Sequence, residues 1–204
     1  MGNDRALREE NMVRHDTAYW QNYARVAGMD EAGRGPLAGD VVAACVIMPP
    51  VPILEWVDDS KKLSASRRER VYDRIIKTAL FIGVGRADAS EIDRINILQA
   101  TMNAMRRAAS GASAGIYLID AVRNLGLDAP EIPIIHGDAV SYSIAAASIV
   151  AKVTRDREMQ EIDRQYPEYG FARHKGYGTA EHIAAIRRFG PCPIHRMSFI
   201  GKFI

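Results

Sequence analysis

The chain has 204 residues, of which 48% are hydrophobic and 25% are charged, with a formal net charge of +2. This composition is ordinary for a soluble globular protein of one compact domain, and the sequence contains no internal repeat, low-complexity segment or apolar run of membrane-spanning length. The small net charge does not by itself indicate nucleic acid. Residues 139–204, however, carry ten Lys and Arg against six Asp and Glu, so the C-terminal third is the better candidate for phosphate contact.

The two cysteines and the charged N-terminus bear on the cellular location. Cys45 lies in an apolar run and is expected to be a buried thiol. Cys192 and His195 stand close in the sequence, but a zinc site needs a second pair of ligands, and the sequence offers no other Cys or His pair at ligand spacing. A charged N-terminus is not typical of a signal peptide. We therefore expect a reduced, cytoplasmic protein without a membrane association.

The first part of the chain predicts a helix followed by two strands. Polar residues with scattered apolar positions over 3–24 indicate an N-terminal helix. Residues 25–29 predict a strand, and the Val- and Ala-rich residues 40–48 predict a buried strand that prolines end. Between them, residues 33–36 predict a turn or loop.

The middle of the chain alternates between helices and strands. A capping box from Ser66 to Glu69 predicts the start of one helix, and Ser90 is expected to cap another. The apolar stripe of this second helix runs from Ile92 to Met105. Short apolar segments predict strands at 80–85, 116–119 and 132–136.

The C-terminal part is predicted to be helical. Residues 143–165 form one long helical pattern, and Thr179 is expected to cap a last helix, which Gly190 and Pro191 end. The closely spaced first strands favour antiparallel pairing, whereas later strands joined through a helix favour parallel pairing. The predicted fold class is therefore α/β, with a mixed sheet flanked by helices and a helical C-terminal part.

Acidic residues stand at the ends of three predicted strands: Asp30 with Glu31, Asp120, and Asp138. In α/β sheets the carboxyl ends of the strands face the ligand crevice, so these side chains are expected to converge. Converged carboxylates repel one another and need cations, and oxygen ligands favour Mg²⁺ or Mn²⁺ over zinc. Two such ions can support phosphodiester hydrolysis. Each acid taken alone also fits a turn former or a helix N-cap, so the pattern indicates a metal site without naming a reaction.

The loop from Gly33 to Ala38 matches the pattern G-x-G-x-x-[GA] of dinucleotide-binding loops. The context argues against that function, because Pro36 and a Val-rich strand follow where a helix is required. The glycines instead indicate a backbone that approaches a ligand closely, with Arg34 between them. A tight turn without a ligand is the alternative.

Six further segments occur in a fixed order along the chain: MDEAGRGPLAG at 29–39, DSKKLS at 59–64, EIDRINIL at 91–98, GD at 137–138, SIAAASIVAKVTRD at 143–156 and HKGY at 174–177. Together these segments resemble the ribonuclease HII family over roughly residues 24–200. The resemblance implies a ribonuclease H-like mixed sheet with a family-specific helical C-terminus. It divides the chain into an N-terminal helical extension, residues 1–24, and a catalytic domain, residues 25–204.

The resemblance also implies an activity and its cofactors. The enzyme would use Mn²⁺ or Mg²⁺, in a two-metal mechanism, to cut on the 5′ side of ribonucleotides. Its substrates would be RNA–DNA hybrids and duplex DNA with single ribonucleotides, and its products would carry a 3′-hydroxyl and a 5′-phosphate. The catalytic and metal-binding carboxylates would be Asp30, Glu31, Asp120 and Asp138.

The substrate residues implied by the resemblance belong to two groups. Gly33, Arg34 and Gly35 would read the ribose 2′-OH, and Tyr177 would pack on the sugar of the following deoxynucleotide. The residues expected to contact phosphate, or to assist such contact, are Lys61, Lys62, Ser148, Lys152 and Lys175.

One departure and two alternatives accompany this resemblance. The family commonly has Gly after the third carboxylate, where this chain has Ala121, and residues 121–131 do not resemble the family. The sister type, ribonuclease HIII, carries an extra N-terminal domain, for which about 24 residues are too few. A non-cleaving module that binds RNA–DNA hybrids is the second alternative, although all four acids are present. A replication or repair partner that binds the C-terminal tail is left open.

Overall fold

A five-stranded mixed sheet forms the centre of the computed structural model, which describes residues 2–204 and their side chains from residue 4 onward. Met1, which begins the predicted N-terminal extension, lies outside these residues. The strands are β1 Val26–Ala32, β2 Val41–Ile47, β3 Phe81–Ala87, β4 Ile116–Asp120 and β5 Glu131–Ile134. Their order in the sheet is β3-β2-β1-β4-β5. As predicted, the closely spaced β1 and β2 pair antiparallel, and β4 pairs parallel with β1. Two pairings differ from the expectation: β3 follows β2 through a helix but pairs antiparallel with it, and β5 follows β4 without a helix but pairs parallel with it.

Helices cover the sheet and form the C-terminal part, which confirms the predicted fold class. The helices are α1 Gly2–Trp20, α2 Ala65–Thr78, α3 Ala89–Ile95, α4 Ile97–Ala109, α5 Gly137–Val140, α6 Tyr142–Gln165, α7 Phe171–His174, α8 Ala180–Phe189 and α9 Met197–Ile200. The long helix predicted at 143–165 is α6, and the helix predicted between Thr179 and Gly190 is α8. None of the helices in residues 2–204 combines the length and the apolar character needed to cross a bilayer.

Two predicted helix starts in the middle of the chain are wrong. The first helix does not start at a Ser66 cap, because the hydroxyl of Ser64 accepts from the backbone N–H of Arg67 and caps α2 two residues earlier. The second predicted helix is two helices, α3 and α4, with Asp88 rather than Ser90 as the cap of α3. Asn96 breaks the pattern with a φ of 68°, and its side chain caps α4. The apolar stripe continues across this break, so hydrophobic periodicity alone does not reveal it.

The two faces of the sheet are covered by different helices. On one face, Ala27 and Met29 of β1 pack in a core with residues of α4, such as Ala104. On the other face, Ala44 and Val46 of β2 pack against the buried, Ala-rich first half of α6. Small side chains let the helix backbone approach the strands closely. The start of α6 is therefore held against the middle of the sheet.

Gly28 and Asp16 fix the position of the start of α6. A Cβ atom added to Gly28 would lie 2.0 Å from the backbone of Ser143, so β1 and α6 touch through main-chain atoms. The fully buried Asp16 of α1 accepts hydrogen bonds from the Ser141 hydroxyl at 3.1 Å and from the Ser143 N–H at 2.7 Å. These contacts hold the α5–α6 junction beside the C-terminal half of β1.

We predict that Gly28→Ala lowers the free energy of unfolding by about 3 kcal/mol, because the new methyl group meets backbone that cannot move aside cheaply. Urea unfolding followed by circular dichroism measures this change. Gly201→Ala is the matched control, since its added Cβ would have its nearest neighbour at 3.9 Å, and it should change stability by less than about 0.5 kcal/mol. Equal stability of the two variants would contradict the close approach of β1 and α6.

Candidate active site

The four acidic residues predicted to converge lie at one end of the sheet. Met29 pairs with Ile119 in the parallel register of β1 and β4, so the next residues of the two strands, Asp30 and Asp120, are neighbours. The sequence predicted that β1 ends at residue 29 and that Asp30 and Glu31 follow it. The strand instead extends to Ala32, so both acids lie within it. The two side chains point to opposite sides of the strand.

Asp138 reaches the group from α5 and not from the end of a strand. The strand predicted at 132–136 ends at Ile134, and Asp138 lies in the first turn of the following short helix. The N–H of Gly137 donates to Oδ1 of Asp120 at 2.7 Å, which ties α5 to the end of β4. The prediction that Asp138 lies near Asp120 is therefore correct, although the element that carries it is different.

Burial and mutual repulsion dominate the electrostatics of these carboxylates. Burial raises the pKa of Asp30 well above its ordinary value, and the charges of Glu31 and Asp120 add to this effect. Burial also raises the pKa of Glu31 to about 7, although Arg34 opposes the increase. The pKa of Asp120 is raised as well, chiefly by burial. The negative charge gathered at this end of the sheet is therefore only partly compensated by the chain itself.

Lys61 supplies part of that compensation. Its Nζ lies 3.5 Å from Oδ2 of Asp138. Burial lowers the pKa of Lys61, but attraction to Asp138 and Asp30 outweighs it and leaves the pKa above its ordinary value. The side chain of Lys61 is 78% exposed, so its ammonium group can move toward a bound phosphate.

The carboxylate oxygens of the four acidic residues are suitable ligands for a divalent cation, although the side chains do not surround a single metal position. Across residues 2–204, no group of three or more His, Cys, Asp or Glu side chains has an arrangement that could hold a metal ion as it stands. Oε2 of Glu31 is nevertheless buried without a hydrogen-bond partner, and an unpartnered buried carboxylate oxygen is costly. Repelling carboxylate oxygens of this kind favour a hard cation such as Mg²⁺ or Mn²⁺.

A cavity of about 270 Å³ adjoins the carboxylates and gathers most of the predicted substrate residues. Tyr177, which is 47% exposed, lines it together with Glu31. The lining residues are Glu31, Ala32, Gly33, Arg34, Gly35, Ser60, Lys61, Ser148, Lys152, Arg155 and Tyr177. Lys62 and Lys175 do not line this cavity. The Nζ of Lys62 lies 3.9 Å from Asp59, and that of Lys175 donates to a carbonyl of α7.

Ser148 and Lys152 lie four residues apart on α6 but do not act as a pair. The hydroxyl of Ser148 shares a hydrogen bond with that of Ser60 at 2.9 Å and lowers the pKa of the neighbouring Asp30. The Nζ of Lys152 donates to Asp156 at 2.7 Å. Ser148 therefore supports a carboxylate, whereas Lys152 is paired with Asp156 at the cavity wall, where its side chain is 21% exposed.

The two glycines of the loop have different surroundings. We call residues 33–39 the glycine loop. Gly33 has a φ of 97°, and a Cβ added to it would lie 2.1 Å from the side chain of Arg155. Gly35 has no such conformational requirement, and its added Cβ would lie 3.7 Å from the ring of Tyr177, in ordinary contact. Gly33 is therefore needed for packing, whereas Gly35 faces the cavity beside Tyr177.

Sequence reasoning missed Ser60 and Arg155, which also line the cavity. Ser60 stands inside the segment 59–64 and Arg155 inside the segment 143–156, both of which resemble the family. Arg155 belongs to the charged half of a long helix, where nothing in the sequence separates a buried arginine from exposed ones. Its guanidinium donates to the carbonyl oxygens of Asp40, Lys175 and Ala38 at 3.0–3.1 Å.

Comparison with known proteins gives one consistent match. Residues 27–202 match the family model described as Ribonuclease HII. A relative from Acetivibrio thermocellus named Ribonuclease HII is 51% identical and covers 96% of this chain and 77% of its own length. The structure of ribonuclease H2 from Pyrococcus horikoshii has a TM-score of 0.74 at 26% identity, and the match covers 88% of this chain and 96% of that one.

Two solved structures with lower identity show the same fold. One is the PCNA:RNase HII complex from Archaeoglobus fulgidus, with a TM-score of 0.73 and 24% identity over 85% of this chain and 94% of that chain. The other is Bst-RNase HIII in complex with Mn²⁺, with a TM-score of 0.60 and 21% identity over 81% of this chain and 63% of that chain. The architecture thus extends across type 2 ribonucleases H of low sequence identity.

We predict that alanine substitutions separate the two glycines. Gly33→Ala should lower the free energy of unfolding by about 2 kcal/mol or more, because the residue needs a positive φ and would clash with Arg155. Gly35→Ala should change the melting temperature little but lower cleavage of an RNA–DNA hybrid by about tenfold, because its methyl group would occupy space beside Tyr177. Thermal melts and steady-state kinetics measure both effects. Unchanged kinetics for Gly35→Ala would indicate a plain turn.

Proposed function

Because this chain belongs to the ribonuclease HII family and is a ribonuclease H that cleaves RNA–DNA hybrids, we propose that it cuts on the 5′ side of a ribonucleotide, in hybrids and at single ribonucleotides in duplex DNA. The products would carry a 3′-hydroxyl and a 5′-phosphate. The observation that supports this proposal is the cavity, which brings the carboxylate of Glu31 beside the glycine loop and Tyr177. A group that reads the sugar and a group that acts on its phosphate thus lie within one site.

The family is metal-dependent, and we propose that Asp30, Glu31, Asp120 and Asp138 hold its Mg²⁺ or Mn²⁺ ions. When bound, two such ions supply an activated water and stabilise the leaving oxygen. The carboxylates contribute charge and fixed position, since β1, β4 and α5 hold them in place. The Mn²⁺ complex of the fold-related Bst-RNase HIII supports a hard cation.

The glycine loop is proposed to read the 2′-OH, because only that group distinguishes RNA from DNA at one nucleotide. Backbone groups reach a ribose closely only where no side chain intervenes, which applies to Gly35. Arg34, with a side chain that is 43% exposed, would contact the same nucleotide. Tyr177 would pack on the following deoxyribose, where a 2′-OH would crowd its ring.

Four lysines are proposed to contact phosphate groups in two places. Lys61 and Lys152 line the cavity and would bind the phosphates next to the cleaved bond. Lys62 and Lys175 lie outside the cavity and would contact the flanking strand. The excess of positive charge in residues 139–204 supports binding of nucleic acid on this side of the protein.

The alternative activities are not favoured. The relatives carry the name Ribonuclease HII at 51–56% identity, whereas the Bst-RNase HIII structure shares only 21% identity with this chain. A module that binds hybrids without cleaving them would not need four acids grouped beside the cavity.

Three expectations of the sequence remain proposals: the division into residues 1–24 and 25–204, the cytoplasmic location, and a replication or repair partner for the C-terminal tail. The fold-related RNase HII from Archaeoglobus fulgidus was solved in complex with PCNA.

We predict that cleavage requires Mg²⁺ or Mn²⁺ and that Asp30→Asn and Asp138→Asn each lower it about a thousandfold or more, because an amide keeps the shape but loses the charge. The assay uses duplex DNA with one ribonucleotide, and a sequencing gel maps the nick. Asp73→Asn is the matched control, since Asp73 has a side chain that is 63% exposed on α2. Full activity in excess chelator, or in either site variant, contradicts the assignment. Without metal, Asp30→Asn should also melt at a higher temperature, because charge repulsion is relieved.

We predict that Tyr177→Ala lowers cleavage at a single embedded ribonucleotide about tenfold more than cleavage of a continuous hybrid, since packing of a ring on a nucleotide is worth about 1–3 kcal/mol. Tyr177→Phe should keep most of the preference, because the ring and not the hydroxyl makes the contact. The ratio of kcat/KM on the two substrates measures the effect. An equal loss on both substrates would mean that Tyr177 only supports its loop.

A further inference from the structure

Three separate segments of the chain meet behind the cavity. They are the glycine loop, the residues 174–178 that carry Tyr177, called here the tyrosine loop, and the residues 191–196, called the C-terminal segment. The N–H of Leu37 donates to Gly176 O at 2.8 Å, and the N–H of Arg196 donates to Leu37 O at 2.9 Å. The N–H of Gly39 donates to Ile194 O at 2.9 Å. The C-terminal segment thus lies against the glycine loop, which in turn contacts the tyrosine loop.

Arg196 holds the glycine loop through its side chain. It has no exposed surface, and no ion pair found among the described residues includes it. Its guanidinium donates five hydrogen bonds of 2.6–3.0 Å to the carbonyl oxygens of Gly33, Arg34, Pro36 and Gly39.

Burial of an arginine without a carboxylate is costly, so its position needs a compensating role. Burial lowers the pKa of Arg196 to about 9, and the charge of the nearby Arg155 contributes to this decrease. The group is still charged at neutral pH, and charge-assisted hydrogen bonds are stronger than neutral ones. All four carbonyl groups are thereby held by one guanidinium group.

His195, the neighbour of Arg196, is linked to the tyrosine loop through His182. Nδ1 of His182 lies 2.9 Å from Tyr177 O, which can only accept, so this nitrogen carries the proton. Nε2 of His182 must then accept, and its partner at 3.0 Å is the protonated Nε2 of His195. Nδ1 of His195 in turn accepts from the N–H of Cys192 at 2.9 Å.

One tautomer of each neutral ring satisfies all of these hydrogen bonds. His182 is fully buried and His195 is 2% exposed, and burial lowers the pKa of both, to about 4 for His182. The rings therefore stay neutral at physiological pH, and the hydrogen bonds run without a break from the C-terminal segment to the carbonyl of Tyr177. Phe171 packs against both rings and limits their rotation.

We infer that the dipeptide His195–Arg196 is a positioning element that sets the distance between the glycine loop and Tyr177. Arg196 fixes the position of the glycine loop, and His195 fixes the position of Tyr177 through His182. Neither residue lines the cavity, so neither contacts the substrate. The inference rests on the proposed function, in which the two loops read neighbouring sugars. A one-nucleotide spacing tolerates little error, because a displacement of about 1 Å in a bound substrate costs about a hundredfold in rate.

The test uses the full-length enzyme and the two substrates named above for Tyr177. His195→Ala removes the hydrogen-bond donor to His182. In His195→Gln, the side-chain amide nitrogen can replace Nε2 as that donor. Arg196→Lys keeps the positive charge but cannot reach four carbonyl groups at once. Arg164→Lys, in a side chain that is 75% exposed, is the matched control. Thermal melts and hybrid binding identify folded variants.

We expect His195→Ala and Arg196→Lys to lower the preference for a single embedded ribonucleotide about tenfold, mainly through kcat. His195→Gln should restore most of the preference, and Arg164→Lys should leave it unchanged. When Tyr177→Ala is already present, His195→Ala and Arg196→Lys should each alter the preference less than about twofold. The reason is that the ring which His195 and Arg196 position is then missing. Arg196→Lys still tests the inference if His195→Ala does not fold.

Three outcomes overturn the inference. If Tyr177→Ala lowers the preference but folded Arg196→Lys and His195→Ala do not, the positioning role is wrong and the proposed function stands. If His195→Ala and Arg196→Lys lower the preference equally with and without Tyr177, the two residues only support the fold in general. A wild-type enzyme whose preference does not depend on Tyr177 would remove the proposed role of Tyr177 and this inference together.

Discussion

The structure depends on one electrostatic constraint: several carboxylates are held close together where water cannot fully solvate them. Asp30 is 4% exposed and Asp138 is 7% exposed, and the charges of Asp30, Glu31 and Asp120 raise one another's free energy. Such a group does not form by itself, since repulsion and lost solvation both oppose it. Packing elsewhere must hold it in place. The contact of β1 with the start of α6 through Gly28 and the bonds from Asp16 to the α5–α6 junction provide that support.

Two buried arginines carry positive charge and have a different structural role from the acids. Arg155 and Arg196 are buried, and both direct their donors at main-chain carbonyl groups. Hydrogen bonds of this kind fix the backbone of the glycine loop and the tyrosine loop and leave the side chains of these loops free. The acids therefore require a cation from outside the chain, whereas the arginines are satisfied within it. This difference separates the chemistry of the site from the support of its loops.

Local patterns in the sequence predicted the parts of the fold that local physics determines. The helices α6 and α8 and the mixed pairing of the sheet follow from periodicity, capping residues and connection lengths. The break at Asn96 was missed because the apolar stripe continues through it. The neighbouring positions of Asp30 and Asp120 depend on the register of β1 and β4, which no local pattern encodes. Lys62 and Lys175 were grouped with the site by resemblance, but neither lines the cavity, because only the tertiary structure decides where a lysine near a motif points.

Ala121 shows how a departure from a family pattern acquires a physical meaning. The residue after the third carboxylate is commonly glycine in the family, and here it has a φ of 51°, in the left-handed region that glycine adopts most easily. Alanine in this conformation costs about 1–2 kcal/mol. The cost is tolerated because the backbone of the turn is hydrogen-bonded: the N–H of Ala121 donates to Ile134 O at 3.1 Å, and the N–H of Val122 donates to Asp120 O at 2.6 Å. The substitution thus places strain in the turn, while the carboxylate of Asp120 stays at the end of β4 beside Asp30.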